Sequence, residues 1–476
     1  MHTLEKEVDD NDWTEADFTI PNSVEIVWPR FAKGGNNGTT IHGIAITSPV
    51  ANGSPIHEGV DGHILYYRSL DNGTTWDIQN QIIPGLDSTS VNSTSADSYA
   101  IDVRGDVVVI AKFGQVDDVA IWKSEDNGIN WTRTIVHDFP LDNYVLGTGY
   151  TLDDFPSSYV VDPEAPDSLS IRTSDHSGAV ILDNNNQAHI FFGNMYILDN
   201  TGQNVFFPAT DGLVYWNESY GPDSTRIIAR AVDINGNDSL DIATVDEIPL
   251  YFTSLSSFPS VGIDADNNIY LVYAALMENL INESANPNRQ HYRHIYTIAS
   301  ADGGDTWTEP YDIINEDVVL IPNLISTTEA VFPSVARHVD ESLHLIYQFD
   351  SEPGLSVRGD EDDAVANIIS HIKLDVASTF GFTTSLNTIN SAATDIQISP
   401  NPTTDKINID LELKASSSLK ISLYNLLGQQ LNFMEMDDLA AGKFSTNFDL
   451  TKMDKGIYMI EIQIGTEQVT RKVIKQ

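Results

Sequence analysis

A chain of 476 residues with 41% hydrophobic content has the length for a large core and for two or three domains, and its composition excludes wholesale disorder. A formal net charge of −44 opposes nucleic acid and anionic membrane as partners, and no run of about 18 apolar residues offers a membrane span. With no cysteine, disulfides, thiolate metal sites and a cysteine nucleophile are excluded.

Residues 1–20 are polar and acidic and read as a loosely held lead-in. They lack the basic and apolar regions of a signal peptide, so an exported chain would begin here only after a removed segment. Beyond them a strand–turn–strand unit recurs. Phe258-Pro259-Ser260-Val261 with Asn268–Tyr273, and Phe332-Pro333-Ser334-Val335 with Ser342–Tyr347, are two copies. Trp28-Pro29-Arg30-Phe31 with Thr40–Ile46 is a looser one. Ser98–Val103 with Asp106–Ala111, and Gly178–Leu182 with Ala188–Phe192, repeat it without the proline. The five starts lie roughly 70 to 80 residues apart.

Three units carry a second signature, Ser-x-Asp-x-Gly-x-x-Trp. It occurs at Ser69, Asp71, Gly73 and Trp76; at Ser124, Asp126, Gly128 and Trp131; and at Ser300, Asp302, Gly304 and Trp307. Serine and aspartate can bond nearby backbone N–H groups, glycine supplies the φ > 0 corner, and tryptophan covers the apolar side. Each copy follows a third short strand and leads into a fourth. Four antiparallel strands per unit, repeated radially, predict an all-β fold: a five- or six-bladed β-propeller over residues 21–383. A sixth unit would have to come from Tyr144–Leu169 or from pairing of the chain ends.

Strand alternation puts these corners on one rim with the first-to-second turns. The long loops Ser48–Gly62, Gly193–Gly212, Leu276–Gln290 and Asp350–Asp363 fall on the other rim, where binding is expected. Carboxylates begin or precede several first strands on that face: Asp97, Asp175 beside His176, and Glu329. They are the candidate catalytic acid and base, or else solvated or cation-binding groups. Arg289, His291, Tyr292 and Arg293 form the densest basic and aromatic segment of an acidic chain. With His176 and Arg30 they are the ligand-binding candidates; the competing reading is neutralisation of acids such as Glu278 and Glu283. No cofactor is required. A structural Ca²⁺ is a candidate at Asp233, Asn235, Asn237 and Asp241, but the glycine is misplaced and Thr244 stands where a bidentate glutamate belongs, so an Asn-Gly turn competes.

Residues 384–395 read as a small, polar linker. From Ile396 onward 10 acids face 9 bases, so nearly all the negative excess precedes this point. Alternating strands at Lys406–Leu413, Leu419–Asn425, Gln430–Met434, Gly442–Asp449, Gly456–Ile464 and Gln468–Ile474 predict a small C-terminal β-sandwich over 396–476. Pro400-Asn401-Pro402-Thr403, Tyr424-Asn425-Leu426-Leu427-Gly428-Gln429, Gly456-Ile457-Tyr458 and the basic end Arg471–Lys475 follow in order. This tail resembles the sorting domain of type IX secretion cargo in Bacteroidetes. The resemblance implies the secretion machinery as a partner and a secreted or cell-surface destination.

The three corners resemble the Asp-boxes of the sialidase superfamily, which holds exo-sialidases, other glycosidases and non-catalytic binding propellers. That resemblance implies the propeller and leaves the activity open. A sialidase would need an arginine triad for the sugar carboxylate and a tyrosine nucleophile paired with glutamate. The first arginine is expected in a Phe/Tyr-Arg-Ile-Pro motif, where this chain has Ile26-Val27-Trp28-Pro29, with valine in the arginine's place. Strand alternation puts Arg30 on the face opposite Val27. The expectation is therefore an exported propeller that binds extracellular glycan or protein. The alternatives are a glycoside hydrolase using carboxylates on the long-loop face, and a structural or adhesion component.

Overall fold

Strands dominate because β-branched and aromatic residues fill short runs that are broken by Gly, Asn and Asp turns. The computed structural model describes residues 2–5, 14–17, 24–160, 169–199, 204–283, 289–314, 328–358, 366–381, 393–401, 403–413, 416–424, 430–453, 455–464 and 467–475. It divides into two units, Met1–Thr383 and Thr384–Gln476.

In the first unit, β1 (His2–Glu5) and β2 (Thr14–Asp17) pair with each other. Five antiparallel sheets follow in chain order. Blade 1 holds β3 (Ile26–Gly34), β4 (Thr40–Thr47), β5 (Ile64–Ser69) and β6 (Ile78–Gln81). Blade 2 holds β7 (Tyr99–Arg104), β8 (Val107–Phe113), β9 (Val119–Ser124) and β10 (Thr132–His137). Blade 3 is β11 (Ile171–Leu182), β12 (Ala188–Asp199), β14 (Leu213–Asn217) and β15 (Arg226–Ala229), with β13 (Asn204–Phe206) added to β12. Blade 4 holds β16 (Ser256–Ile263), β17 (Ile269–Asn282), β18 (Gln290–Ser300) and β19 (Tyr311–Asp312). Blade 5 has three strands, β20 (Glu329–Val335), β21 (Ser342–Asp350) and β22 (Ile368–Asp375). Among the described residues Tyr144–Leu169 adds no strand and the β1–β2 pair joins no other strand, so neither forms a sixth blade; residues 161–168 lie outside them.

The sheets stack in series, which makes this a β-propeller. Ile44, Ile46 and Tyr66 of blade 1 share a core with Ile110 and Trp122 of blade 2. Val109 and Phe113 of blade 2 meet Ile190, Phe192 and Trp216 of blade 3. Phe191 and Tyr215 of blade 3 meet Leu271, Tyr273 and Tyr296 of blade 4, and Tyr270 and Ile295 of blade 4 meet Leu343 and Leu345 of blade 5. Central strands are covered on both faces, so β8, β12 and β18 are buried along their whole length, polar residues such as Lys112, His189 and Arg293 included.

The three tryptophan corners have one geometry. The serine Oγ accepts from the glycine N–H, 2.8 Å for Ser69–Gly73, 2.9 Å for Ser124–Gly128 and 2.8 Å for Ser300–Gly304. The aspartate Oδ1 accepts from the backbone four residues on, at Thr75, Asn130 and Thr306. Two of the corners also staple neighbouring blades. A Cβ on Gly128 would collide with the Tyr66 hydroxyl, and one on Gly304 with the Tyr215 hydroxyl. Those tyrosines meet His42 Nδ1 at 2.7 Å and His189 Nδ1 at 2.8 Å, and Trp131 and Trp307 pack edge-on against them. The corners sit beside the first-to-second turns as expected: Asn72 N donates to Thr39 O at 2.8 Å and Asn127 N to Asp106 O at 2.7 Å.

The second unit consists of two sheets. One is β23 (Ala393–Ser399), β24 (Lys406–Leu413) and, beyond it, β27 (Gly442–Asp449). The other is built from β25 (Ser417–Tyr424), β26 (Gln430–Leu439), β28 (Gly456–Ile464) and β29 (Glu467–Lys475). β24 alternates exposed and buried, and Ile407, Ile409 and Leu411 meet Leu419, Ile421, Ile460 and Ile462 in one core. The first strand starts at Ala393, ahead of the boundary set at 396, because Ala393 pairs with Leu413 across a register shift. Linker residues 384–392, Pro402 and Asn425–Gln429 lie outside the described residues.

Candidate binding face

The face opposite the corners is built around a repeated irregularity. The innermost strand shifts register between Val27 and Arg30 in blade 1, Ser174 and Gly178 in blade 3, Ser257 and Ser260 in blade 4, and Val331 and Ser334 in blade 5. At each shift one ring-bearing residue has positive φ: Trp28 at 52°, His176 at 70°, Phe258 at 56° and Phe332 at 54°. Non-glycine residues enter this region at a cost of about 1–2 kcal/mol each, so four copies at one position are a built feature. In three blades proline follows (Pro29, Pro259, Pro333), supplying no N–H to the broken ladder. Two of the side chains are turned outward, Trp28 at 42% exposed and Phe332 at 38%, while His176 and Phe258 are half-buried. Phe258 packs 4.9 Å from Phe332, and both lean on Tyr251.

The bulge corrects the expected place of Arg30. Val27 pairs with Ile46 and Arg30 with Ile44, two residues apart on β4, so both point to the same side. Arg30 reaches the start of blade 2. Its guanidinium lies 4.7 Å from the Tyr99 ring centroid, donates to Ala96 O at 2.7 Å and stands 3.7 Å from Asp97. The Asp97 side chain is 82% exposed.

Asp175 and Glu329, expected as reachable carboxylates, are both buried to 1%. Asp175 accepts from Ser254 N at 2.9 Å and Ser177 N at 3.0 Å, and burial raises its pKa. It fills the space where a Cβ on Gly193 would sit. Glu329 accepts from Arg293 N at 2.6 Å and meets the Tyr251 hydroxyl at 2.6 Å; burial pushes its pKa up to about 8. Arg293 is fully buried, donating to Leu255 O and Ser254 O at 3.0 Å each. Asp211, which sequence reasoning missed, accepts from Ser256 Oγ at 2.8 Å. Together these groups fix the link Ser254–Ser257 between blades 3 and 4.

His291, Tyr292 and Arg293 turn inward, unlike the ligand-gripping strip expected, while the Arg289 side chain stays exposed. His291 Nδ1 meets Met277 O at 2.8 Å, and the Tyr292 hydroxyl donates to Ser351 O at 3.0 Å. Arg289 donates to Glu247 at 2.9 Å and reaches Glu283 at 3.3 Å, which agrees with the neutralisation reading for that residue. His176, half-buried, meets Ser95 Oγ at 3.1 Å, and burial followed by Lys112 holds its pKa well below the usual imidazole range. It borders a cavity of about 400 Å³ shared with Ser98, Lys112, Phe113, Asp117 and Tyr144. The buried Lys112 ammonium donates to Asp117 at 2.7 and 2.6 Å.

At the calcium candidate the side chains serve the turn. Asp233 accepts from the N–H groups of Gly236 and Asp238 at 2.7 Å each, and Asn235 Nδ2 donates to Asp241 at 2.7 Å. Among the described residues no group of three His, Cys, Asp or Glu is placed to hold a metal ion.

Residues 397–476 match the family described as the secretion system C-terminal sorting domain. The chain is thus an exported β-propeller protein, its last domain a type IX sorting domain and its destination outside the cell or on its surface. No helix among the described residues is long and apolar enough to cross a membrane. Curated proteins gave no match.

Similar solved structures include a protein of unknown function from Dyadobacter fermentans, 13% identical, covering 89% of this chain and 94% of that one, with a TM-score of 0.36. A family 43 arabinoxylan arabinofuranohydrolase from Bacillus subtilis, in complex with cellotetraose, is 10% identical over 94% and 95%, with a TM-score of 0.30. A Trypanosoma rangeli sialidase in complex with 2,3-difluorosialic acid is 10% identical over 99% and 88%, with a TM-score of 0.26. Likenesses this distant carry no activity over to this chain.

Proposed function

We propose that this exported propeller binds an extracellular saccharide on its long-loop face, using aromatic rings at the innermost-strand bulges as stacking surfaces. The observation that carries the reading is the exposure of Trp28 and Phe332 at equivalent, strained positions. A sugar's apolar C–H face is held by flat rings fixed in place, and a ring locked by a bulge loses little freedom on binding. Asp175 and Glu329, the carboxylates a hydrolase would use, are tied to backbone N–H groups below that surface. The test is a glycan array probed with the full chain, Trp28→Ala and Phe332→Ala. Saccharide hits should weaken roughly ten-fold or more in each variant, the loss expected for a stacking anchor. An array without hits would favour a structural or adhesion role, and hits unaffected by both variants would place binding elsewhere.

One observation favours a hydrolase as the second reading. Tyr251 and Glu329 form a tyrosine–glutamate pair at 2.6 Å, with Arg293 5.3 Å from the tyrosine ring centroid. Tyr251 is only 4% exposed, so substrate would reach it only if Phe258 and Phe332 swung aside. Turnover of aryl glycosides that is abolished in Tyr251→Phe would establish this reading over simple binding.

A further inference from the structure

The rim of the first-to-second turns carries a cluster of basic residues. A cavity of about 570 Å³ opens there, between the innermost strands of all five blades, and Lys33, Arg104, Arg337 and His338 line it with Phe31. Such a cluster is unexpected in a chain of net charge −44. Arg337, from the β20–β21 turn, crosses to blade 2 and clamps Asp102 through Nε at 2.5 Å and Nη2 at 2.7 Å. Asp102 also accepts from Leu182 N at 2.6 Å, so its charge is fully used.

Arg104 and Lys33 remain. The guanidinium of Arg104 makes a single hydrogen bond among the described residues, Nε to Leu182 O at 3.4 Å, which leaves its terminal nitrogens without a hydrogen-bond acceptor there. Lys33, exposed on β3, makes no ion pair among them. Asp183, the other acid acting on Arg104, spends Oδ1 on Asn185 N at 2.7 Å and Gln187 N at 2.8 Å. Burial and then the like charge of Arg337 lower the Arg104 pKa, against the opposing pull of Asp102 and Asp183.

We propose that this mouth is an oxyanion site, taking a carboxylate or phosphate group of a small ligand on Arg104 and Lys33, with Arg337 held behind them by Asp102. A planar guanidinium suits either group bidentately, and the cavity is within the range of small-molecule sites. The site is independent of the saccharide face and on the opposite rim.

The test is calorimetric titration of the full chain with inorganic phosphate, with galacturonate, and with galactose as the neutral control. At least one anion should bind saturably, its affinity should fall roughly ten-fold in Arg104→Gln and in Lys33→Gln, and galactose should not compete with it. Which anion binds identifies the source of the group. Trp28→Ala should leave the binding unchanged, which separates this site from the saccharide reading. Thermal midpoints check the fold, and exposed Lys33 carries the comparison if Arg104→Gln unfolds. No saturable anion binding, or equal affinity in Lys33→Gln, would overturn the proposal.

Discussion

Glu329 shows how one buried proton organises the interior beneath the binding face. Tyr251 has one hydroxyl proton and two oxygens near it, Glu329 Oε1 at 2.6 Å and Gly354 O at 3.0 Å. With its pKa pushed up to about 8, Glu329 is protonated at neutral pH. It then donates to Tyr251, Tyr251 donates to Gly354, and the other Glu329 oxygen accepts from Arg293 N. The unfolded chain releases this proton near pH 4.5 and the folded one only near 8. Between those values the folded state binds more protons, so this group's contribution to stability falls by about 1.4 kcal/mol per pH unit as pH rises. Glu329→Gln keeps the neutral pattern and should remove that fall: in thermal midpoints from pH 5 to 9, the variant should gain on the parent as pH rises. A constant difference would contradict the proton assignment. Arg293→Met, which leaves the buried Ser254 O and Leu255 O without their donor, should lower stability by about 1–3 kcal/mol. Neither side chain was legible as structural in the sequence, because a polar residue at a strand start looks the same whether it faces solvent or an interior link.

Among the elements, the three tryptophan corners were legible because their bonds are local: serine, aspartate and glycine close one turn within a few residues. What local pattern could not reveal is the partner, since Tyr66 and Tyr215 belong to the preceding blade. Ser124→Ala loses the acceptor of the Gly128 N–H and should lower stability by about 1–2 kcal/mol. Gly304→Ala needs both positive φ and the space held by the Tyr215 hydroxyl, and should be the more damaging of the two in denaturant midpoints. The bulges were half-legible. Aromatic-Pro at the start of blades 1, 4 and 5 marked the repeat, but strict alternation gave the wrong side for Arg30, because an extra residue resets the period. Blade 2 has no such shift in β7, and nothing in its sequence marked the difference.

At the scale of the whole molecule, charge and composition divide the chain as the fold does. Nearly all the negative excess lies before Ile396, and the sorting domain is close to neutral. Self-repulsion across the propeller should be relieved by salt, so its melting midpoint should rise between low and physiological ionic strength. Residues 396–476 fused to a reporter should carry it out of a host with the type IX machinery, and retention in the cell would contradict the address. The tail was legible because its landmarks fall in order along the sequence. The ligand was not, because the rings that would meet it come from blades far apart in the chain. The most direct test of the account is the dissociation constant of the best array saccharide for the parent, Trp28→Ala, Phe332→Ala and Glu329→Gln. The account predicts that both ring variants bind roughly ten-fold or more weakly while Glu329→Gln binds like the parent; ring variants that bind as the parent does would contradict it.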